Sequence, residues 1–318
     1  MRVFRSSAEA AGQLRSPAVA IGNFDGVHRG HQALFARARE LARAAGRDAV
    51  ALTFAPHPAR FFNPELAPPL ITPEAQKLAA REECGLDAVV IEPFDAAFAA
   101  RTPESFATEI LAARLGARDI IVGLGFSFGA KRAGDLGSLV QLGAAHGFAA
   151  HGLETVRVGS IVVSSSKIRE FLLLGRVGGA SMLLGRDYLV EGRVVAGKAR
   201  GRTIGVPTAN VDPENEIIPR KGVYAGWARL PDHTISKAVI NIGTNPTFER
   251  ADAISLEVHV IGYSGDLYDQ RIGVLFTQRL REEKSFPSVD ALIAAIRHDI
   301  QEALELLGAP ASSIRAAC

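Results

Sequence analysis

The sequence has 318 residues, 47% of them hydrophobic, which is enough for about two domains with ordinary cores. Its 36 Lys and Arg against 34 Asp and Glu leave a formal charge of +2, a balance that argues against a dedicated nucleic-acid or membrane-surface protein. Two cysteines, Cys84 and Cys318, permit no disulfide framework and no metal-ligand spacing; with no signal peptide read at the start and no apolar run of membrane length, a reducing cytoplasm fits.

Residues 18–21 read as a buried strand, followed by a glycine-rich turn and a helix over 32–45. Leu34, Ala38, Leu41 and Ala45 share one face of that helix, and Gly46 stands where a C-terminal cap belongs. Residues 49–54 and 88–91 are the next strands. Thr102 and Pro103 suit the cap and first position of a helix that stops at Gly116, and 119–122 is a further buried strand. Strands alternating with helices imply a parallel sheet with helices on both faces.

The turn after the first strand reads Gly22-Asn23-Phe24-Asp25-Gly26-Val27-His28-Arg29-Gly30-His31. In an open parallel sheet, a strand-to-helix turn aims backbone N–H groups at the crevice above the strand ends, where a phosphate can bind. Gly22, Gly26 and Gly30 permit close approach, and Phe24 and Asp25 belong to the same phosphate-binding stretch. His28 and His31, three apart, share one face of the helix start and can donate hydrogen bonds to phosphate oxygens. Either histidine alone reads as an ordinary polar cap; the whole string after a strand reads as a phosphate site. Farther on, Ser164-Ser165-Ser166-Lys167-Ile168-Arg169 ends a β-rich run and opens another helix. Alone it is a serine cap with solvated cations, although its hydroxyls, N–H groups, Lys167 and Arg169 would grip a leaving pyrophosphate.

After Gly185 the rhythm changes. Short segments at 188–195, 223–230, 236–242, 254–261 and 272–277, separated by turns such as Asp212-Pro213 and Pro231-Asp232, suggest an antiparallel barrel or sandwich. A long helix closes the chain, with Ser288 as its cap and Leu292, Ile296, Ile300 and Leu304 along one face. The boundary falls near Leu184, giving domains 1–184 and 185–318. Residues 197–210 form a run rich in glycine and cations that lacks the Gly-Lys-Ser/Thr of a P-loop. Gly197, Gly201, Arg202, Gly205 and Pro207 fit a turn that wraps nucleotide phosphates, and a solvated hairpin is the bland reading of the same glycines. Thr208 and Asn210 offer neutral oxygen ligands suited to Mg²⁺. Glu257 lies between apolar neighbours in a strand, where pattern alone divides evenly between a catalytic carboxylate and a solvent face.

The histidine turn and the later serine-basic helix start together resemble the nucleotidylyltransferase superfamily. More closely, the first half resembles the FMN adenylyltransferase module of prokaryotic bifunctional riboflavin kinase/FAD synthetase. Thr53-Phe54-Ala55-Pro56-His57-Pro58, Pro93-Phe94-Asp95, Phe126-Ser127-Phe128-Gly129 and Gly134-Asp135 carry that likeness. The 197–210 run, ending Pro-Thr-Ala-Asn, resembles the riboflavin kinase signature. Gly185-Arg186-Asp187-Tyr188, Asn241-Ile242-Gly243-Thr244-Asn245-Pro246-Thr247-Phe248, Arg281-Glu282-Glu283-Lys284-Ser285-Phe286 and Asp299 follow in order. The resemblance spans about 21–299.

It implies a Rossmann-like N-terminal α/β domain with a parallel sheet, then an antiparallel β-barrel kinase domain with a terminal helix. ATP would be a substrate in both domains, with Mg²⁺ as cofactor. Riboflavin would become FMN in the second domain, and FMN would become FAD in the first with release of pyrophosphate. It also implies that Glu257 is the kinase base, that His28 and His31 serve adenylyl transfer, and that His57, Pro58, Phe126, Phe128, Asn241 and Arg281 bind flavin. The partners would be riboflavin, FMN, FAD and ATP, with no nucleic acid or membrane. Two positions depart from the family pattern. Gly125 stands where an acidic or amide residue is usual, and Lys167 where arginine is common. They keep open an alternative, a riboflavin kinase with an impaired first domain.

Overall fold

The computed structural model describes residues 1–197, 205–244 and 254–309. The chain divides into two compact units, Met1–Pro69 with Glu74–Val163, and Leu70–Pro73 with Ser164–Cys318.

The first unit is built on six strands: β1 (Arg2–Phe4), β2 (Ala18–Ile21), β3 (Ala49–Ala55), β4 (Ala88–Pro93), β5 (Asp119–Gly123) and β6 (Ala149–Leu153). They lie in the order β1-β4-β3-β2-β5-β6, every pair parallel. Alternation along each strand feeds two apolar layers. Val19, Ile21, Val50, Leu52, Val90 and Ile120 face Phe106, Ile110 and Leu111. Ala18, Ala20, Ala49, Ala51, Val89 and Ile121 face Leu34, Phe35, Ala38 and Ala42 of the helix Arg29–Ala44. A sheet covered on both faces explains why its central strands read as unbroken apolar runs. The chain leaves β2 toward β3 on one side, while β5 lies on the other. The C-terminal end of β2 is therefore the switch point of the sheet, where such folds bind ligands.

Three features differ from expectation. The helix begins at Arg29 rather than near residue 32, because the His28 side chain caps it. Thr102 caps as expected, accepting from Ser105 N at 3.1 Å, but the helix widens to a π-helix over Phe106–Arg114. The edge strands β1 and β6 have no sequence signal: one is three residues long, and the other, Ala-Ala-His-Gly-Leu, lacks an apolar run.

The second unit is a closed antiparallel barrel. Its strands are β7 (Tyr188–Val195), β8 (Ala209–Pro213), β9 (Gly222–Arg229), β10 (Ile235–Thr244), β11 (Ile254–Val260) and β12 (Arg271–Arg281). They run β7-β8-β11-β10-β9-β12, and β12 pairs back onto β7. The barrel, not the sandwich, is the outcome. Asp212 and Pro213, expected as a turn, instead end β8, where they pair with Arg193 and Gly192. The helix Val289–Leu306, capped by Ser288, covers Val223, Ala225, Trp227, Val239 and Leu275. Leu304, placed on its inner face by spacing, is 38% exposed; Asp299 is buried there instead because it has a cation to meet. The helices Ser165–Leu173 and Val177–Leu184 also belong to this unit.

Candidate functional sites

The turn leaving β2 winds tightly. Phe24, Gly26 and Val27 have φ of 53°, 83° and 43°, so two side-chain-bearing residues are held in the left-handed region that favours glycine. Phe24 is fully buried. Its ring packs on Phe35 at 4.6 Å and meets the edge of His31 at 5.2 Å. His28 caps the helix through Nδ1, which accepts from His31 N at 3.3 Å. In the neutral ring the proton therefore sits on Nε2, leaving that atom as a donor. The His28 and His31 rings stack, with centroids 3.5 Å apart and planes 16° from parallel.

The glycines of the turn leave room for its own aromatic side chains. A Cβ on Gly22 would stand 2.9 Å from the Phe24 ring, and one on Gly30 3.1 Å from His28. Phe24 and Asp25, grouped by sequence with the phosphate-binding residues, are both buried, so they brace the turn from below. Asp25 lies 3.7 Å from Lys77 Nζ. That lysine, with Arg81 one turn later, belongs to the helix Glu74–Glu83, which sequence reasoning passed over. The available signal was two cations four apart, on one helical face.

His57 caps a short helix, Pro58–Phe62, its Nδ1 accepting from Ala59 N at 3.1 Å. Phe61 and Phe62 of this helix join a larger group of phenylalanines. Phe61, Phe62, Phe54 and Phe98 all lie within 5.9 Å of Phe94, centroid to centroid. The series continues through Phe106 to Phe128, on which Phe126 stacks at 5.5 Å. Of these rings the sequence singled out only Phe126 and Phe128 for flavin. The adjacent pair Phe61-Phe62 and the Phe94/Phe98 spacing were the missed clues. Phe62 is 68% exposed. At Gly125 a Cβ would meet nothing within 4 Å.

In the second unit Ser164 caps its helix, accepting from Lys167 N at 3.2 Å, with Ser165 and Ser166 in the first turn. Lys167 Nζ pairs with Glu170 at 2.7 Å, and Arg169 is buried.

The barrel site depends on register. Asn210 of β8 pairs with Glu257 of β11, Glu257 pairs with Asn241 of β10, Asn241 with Val223 of β9, and Val223 with Arg281 of β12. Directly opposed residues share a face and lie within reach of each other. Two asparagines from separate motifs thus flank the one carboxylate chosen as a base. Gly197 lies against this row: a Cβ there would fall 2.1 Å from Asn210 Nδ2. Gly205, at φ 75°, turns the chain into Val206 and Pro207, and the Pro207 carbonyl meets His259 Nδ1 at 2.8 Å. Pro207 and Thr208 line a cavity of about 430 Å³ with Val194, Tyr263, Asp266 and Tyr268. Gly201 and Arg202 lie outside the described residues, as do Asn245-Pro246-Thr247-Phe248.

Arg281 is otherwise engaged. Its Nε and Nη2 donate to the two Asp299 oxygens at 2.9 and 2.7 Å, and its Nη1 donates to the Glu282 carbonyl at 3.0 Å. The planar fork is closed on a carboxylate that is 2% exposed, so Arg281 anchors the terminal helix. A further carboxylate was not singled out by sequence. A Cβ on Gly243 would stand 2.4 Å from Glu283 Oε1, placing that group over Gly243 and its register partner Ser255.

Among the described residues, no three His, Cys, Asp or Glu side chains are grouped to hold a metal ion. Asn210 is the register partner of Glu257, and Thr208, two residues earlier, lines the cavity; both offer neutral oxygens. Such a set fits Mg²⁺, a hard cation that keeps several waters and bridges phosphates. No helix among the described residues is long and apolar enough to cross a membrane.

Comparison with known proteins matches both halves. A family model for FAD synthetase covers residues 11–167, and one for riboflavin kinase covers 184–307. The bifunctional riboflavin kinase/FMN adenylyltransferase of Pseudomonas fluorescens is 39% identical over 292 residues, 92% of this chain and 93% of that one. The protein of the same description from Escherichia coli K12 is 38% identical over 294 residues, 91% and 92% of the two chains. A crystal structure described as a macrolide-efflux protein from Streptococcus pneumoniae superposes with a TM-score of 0.84 at 28% identity, over 95% of this chain and 98% of the other.

Proposed function

The chain belongs to the family of bifunctional riboflavin kinase/FMN adenylyltransferases, and from that premise we propose how its residues divide the work. It is an enzyme of two activities, phosphorylating riboflavin to FMN and adenylylating FMN to FAD, with ATP as co-substrate of both. The FAD synthetase match runs through Gly125, so the kinase-only alternative gives way to the bifunctional reading.

The kinase reaction belongs to the barrel row. The terminal ribityl hydroxyl attacks the γ-phosphorus of ATP, Glu257 accepts the hydroxyl proton, and ADP departs. Asn241 orients the flavin beside Glu257, and the cavity at Pro207 and Thr208 takes the nucleotide. Thr208 and Asn210 hold Mg²⁺, which when bound supplies positive charge to the phosphates. The observation that carries this assignment is the register placing Asn210 and Asn241 on either side of Glu257.

Adenylyl transfer belongs to the histidine turn. An FMN phosphate oxygen attacks the α-phosphorus of ATP, and the bond to pyrophosphate breaks. No protein nucleophile is needed, only alignment and stabilisation of charge. The Nε2–H of His28 and the His31 ring bind phosphate oxygens, with Gly26 and Gly30 permitting close approach; the Gly22 N–H is given to the Leu52 carbonyl at 3.2 Å. His57, Pro58 and the neighbouring phenylalanines give the flavin ring an aromatic surface. Ser164, Ser165, Ser166, Lys167 and Arg169 form a further phosphate-binding helix start. The small-molecule substrates, balanced charge and sparse cysteines fit a cytoplasmic enzyme.

Purified protein incubated with riboflavin and Mg-ATP, followed by separation of the flavins, tests the reading. FMN and FAD together are expected. FMN alone would restore the kinase-only alternative, and neither product would overturn the assignment of both sites.

A further inference from the structure

We propose that Arg81 is a positioning residue for adenylyl transfer, a buried cation that holds the histidine turn from behind and sets the place of His31. The inference rests on the reading of that turn as the adenylyl-transfer site.

Arg81 is 1% exposed and heads the fully buried side chains by volume. Its guanidinium carbon stands 5.7 Å from the centre of the Phe24 ring. Nη2 reaches Thr53 Oγ1 at 3.5 Å, while Nε, also buried, has no hydrogen-bond partner among the described residues. Asp25 and Glu74 favour its charge only through the longer-range field, and burial pushes the group down to about 10, so it remains a cation at neutral pH. A cation removed from water this completely is usually paired and fully hydrogen-bonded, and an apolar side chain would fill the space more cheaply.

What the charge faces is the turn. Phe24, in its left-handed conformation, has Arg81 near its ring and His31 at 5.2 Å, and His31 stacks on His28. One helical turn before Arg81, Lys77 lies 3.7 Å from Asp25. Two cations of one helix, four residues apart, thus hold two consecutive residues of the turn. A triphosphate brought to that turn meets a positive field from behind it, weakly screened by the apolar surroundings. The ring against which His31 rests is fixed by the same group.

The test uses the full chain. Arg81→Met keeps a long unbranched stem and removes the charge; Arg81→Lys restores the charge; Arg81→Gln is a second neutral variant should the first not fold. For the neutral variants we expect riboflavin phosphorylation and melting temperature to stay within error of the parent. The kcat for FAD formation from FMN and ATP should fall about tenfold, or 1.4 kcal/mol, with the KM for FMN changed less than about twofold. Arg81→Lys should recover most of the loss. The His31 ring signals in NMR spectra should shift in the neutral variants and return in Arg81→Lys. FAD formation within about twofold of the parent in a folded neutral variant would overturn the inference. So would a loss that parallels a fall in melting temperature, with no rescue by lysine. His31→Ala, assayed alongside, separates the two levels. If it leaves FAD formation intact, the reading of the turn fails and takes the Arg81 inference with it. If it abolishes FAD formation while the neutral variants stay within about twofold of the parent, the Arg81 inference alone fails.

Discussion

The proposed adenylyl-transfer turn of the first unit draws its groups from ten consecutive residues, whereas the polar row of the barrel joins Asn210, Asn241 and Glu257 from three strands. The turn takes its shape from what lies beneath it: a buried ring, two glycines that leave room for aromatic rings, and a helix bearing two cations. The row takes its shape from barrel closure, since register alone brings its members side by side. Local chemistry therefore tolerates distant change and fails when its support is removed. Non-local chemistry fails when one strand slips.

A large effect that should separate the two is Glu257→Gln, which keeps the shape and removes the charge of the proposed base. Single-turnover phosphorylation of riboflavin should slow about a thousandfold, with riboflavin affinity little changed and FAD formation from supplied FMN intact. Unchanged phosphorylation would return Glu257 to the status of a surface strand residue. His31→Ala comes next. It should cut the initial rate of FAD formation about a hundredfold or more and leave FMN formation as it was. Asp299→Ala probes barrel closure rather than chemistry. It leaves the Arg281 fork facing a buried position with no carboxylate, so the barrel should lose about 3 kcal/mol. The single tryptophan, Trp227, lies under the terminal helix and reports this in denaturant titrations through its fluorescence. Gly125→Asp should have the smallest effect. A side chain there enters open space, and one new hydrogen bond is worth about 0.5–1.5 kcal/mol. FAD formation should therefore stay level or rise at most about tenfold. A parent without FAD activity that gains it from this change would contradict the bifunctional reading.

The ease of reading the two units from sequence follows the same division. The central strands announce themselves because burial on both faces demands unbroken apolar runs. The short edge strand β1, and β6 with Gly152 and His151 inside it, offer no such run. The histidine turn can be singled out in the sequence because its residues are contiguous. Its support cannot, since Lys77 and Arg81 resemble solvated cations until the helix is seen to turn them inward. In the barrel, strand rhythm separated the elements but left barrel and sandwich open, because pairing between distant strands has no local signature. Asp212-Pro213 misled for a related reason: a turn-forming pair also tolerates the end of a strand. Arg281 could be chosen from its motif, but its role depends on Asp299, eighteen residues away on a helix that only the folded barrel brings near.

The central claim is that each activity resides in its own set of residues, and Asn210→Ala tests it most directly. Both activities are to be measured on one preparation: FMN formed from riboflavin and Mg-ATP, and FAD formed from supplied FMN and Mg-ATP. The account predicts that FMN formation is abolished while FAD formation stays near the parent rate. Equal loss of the two would contradict it.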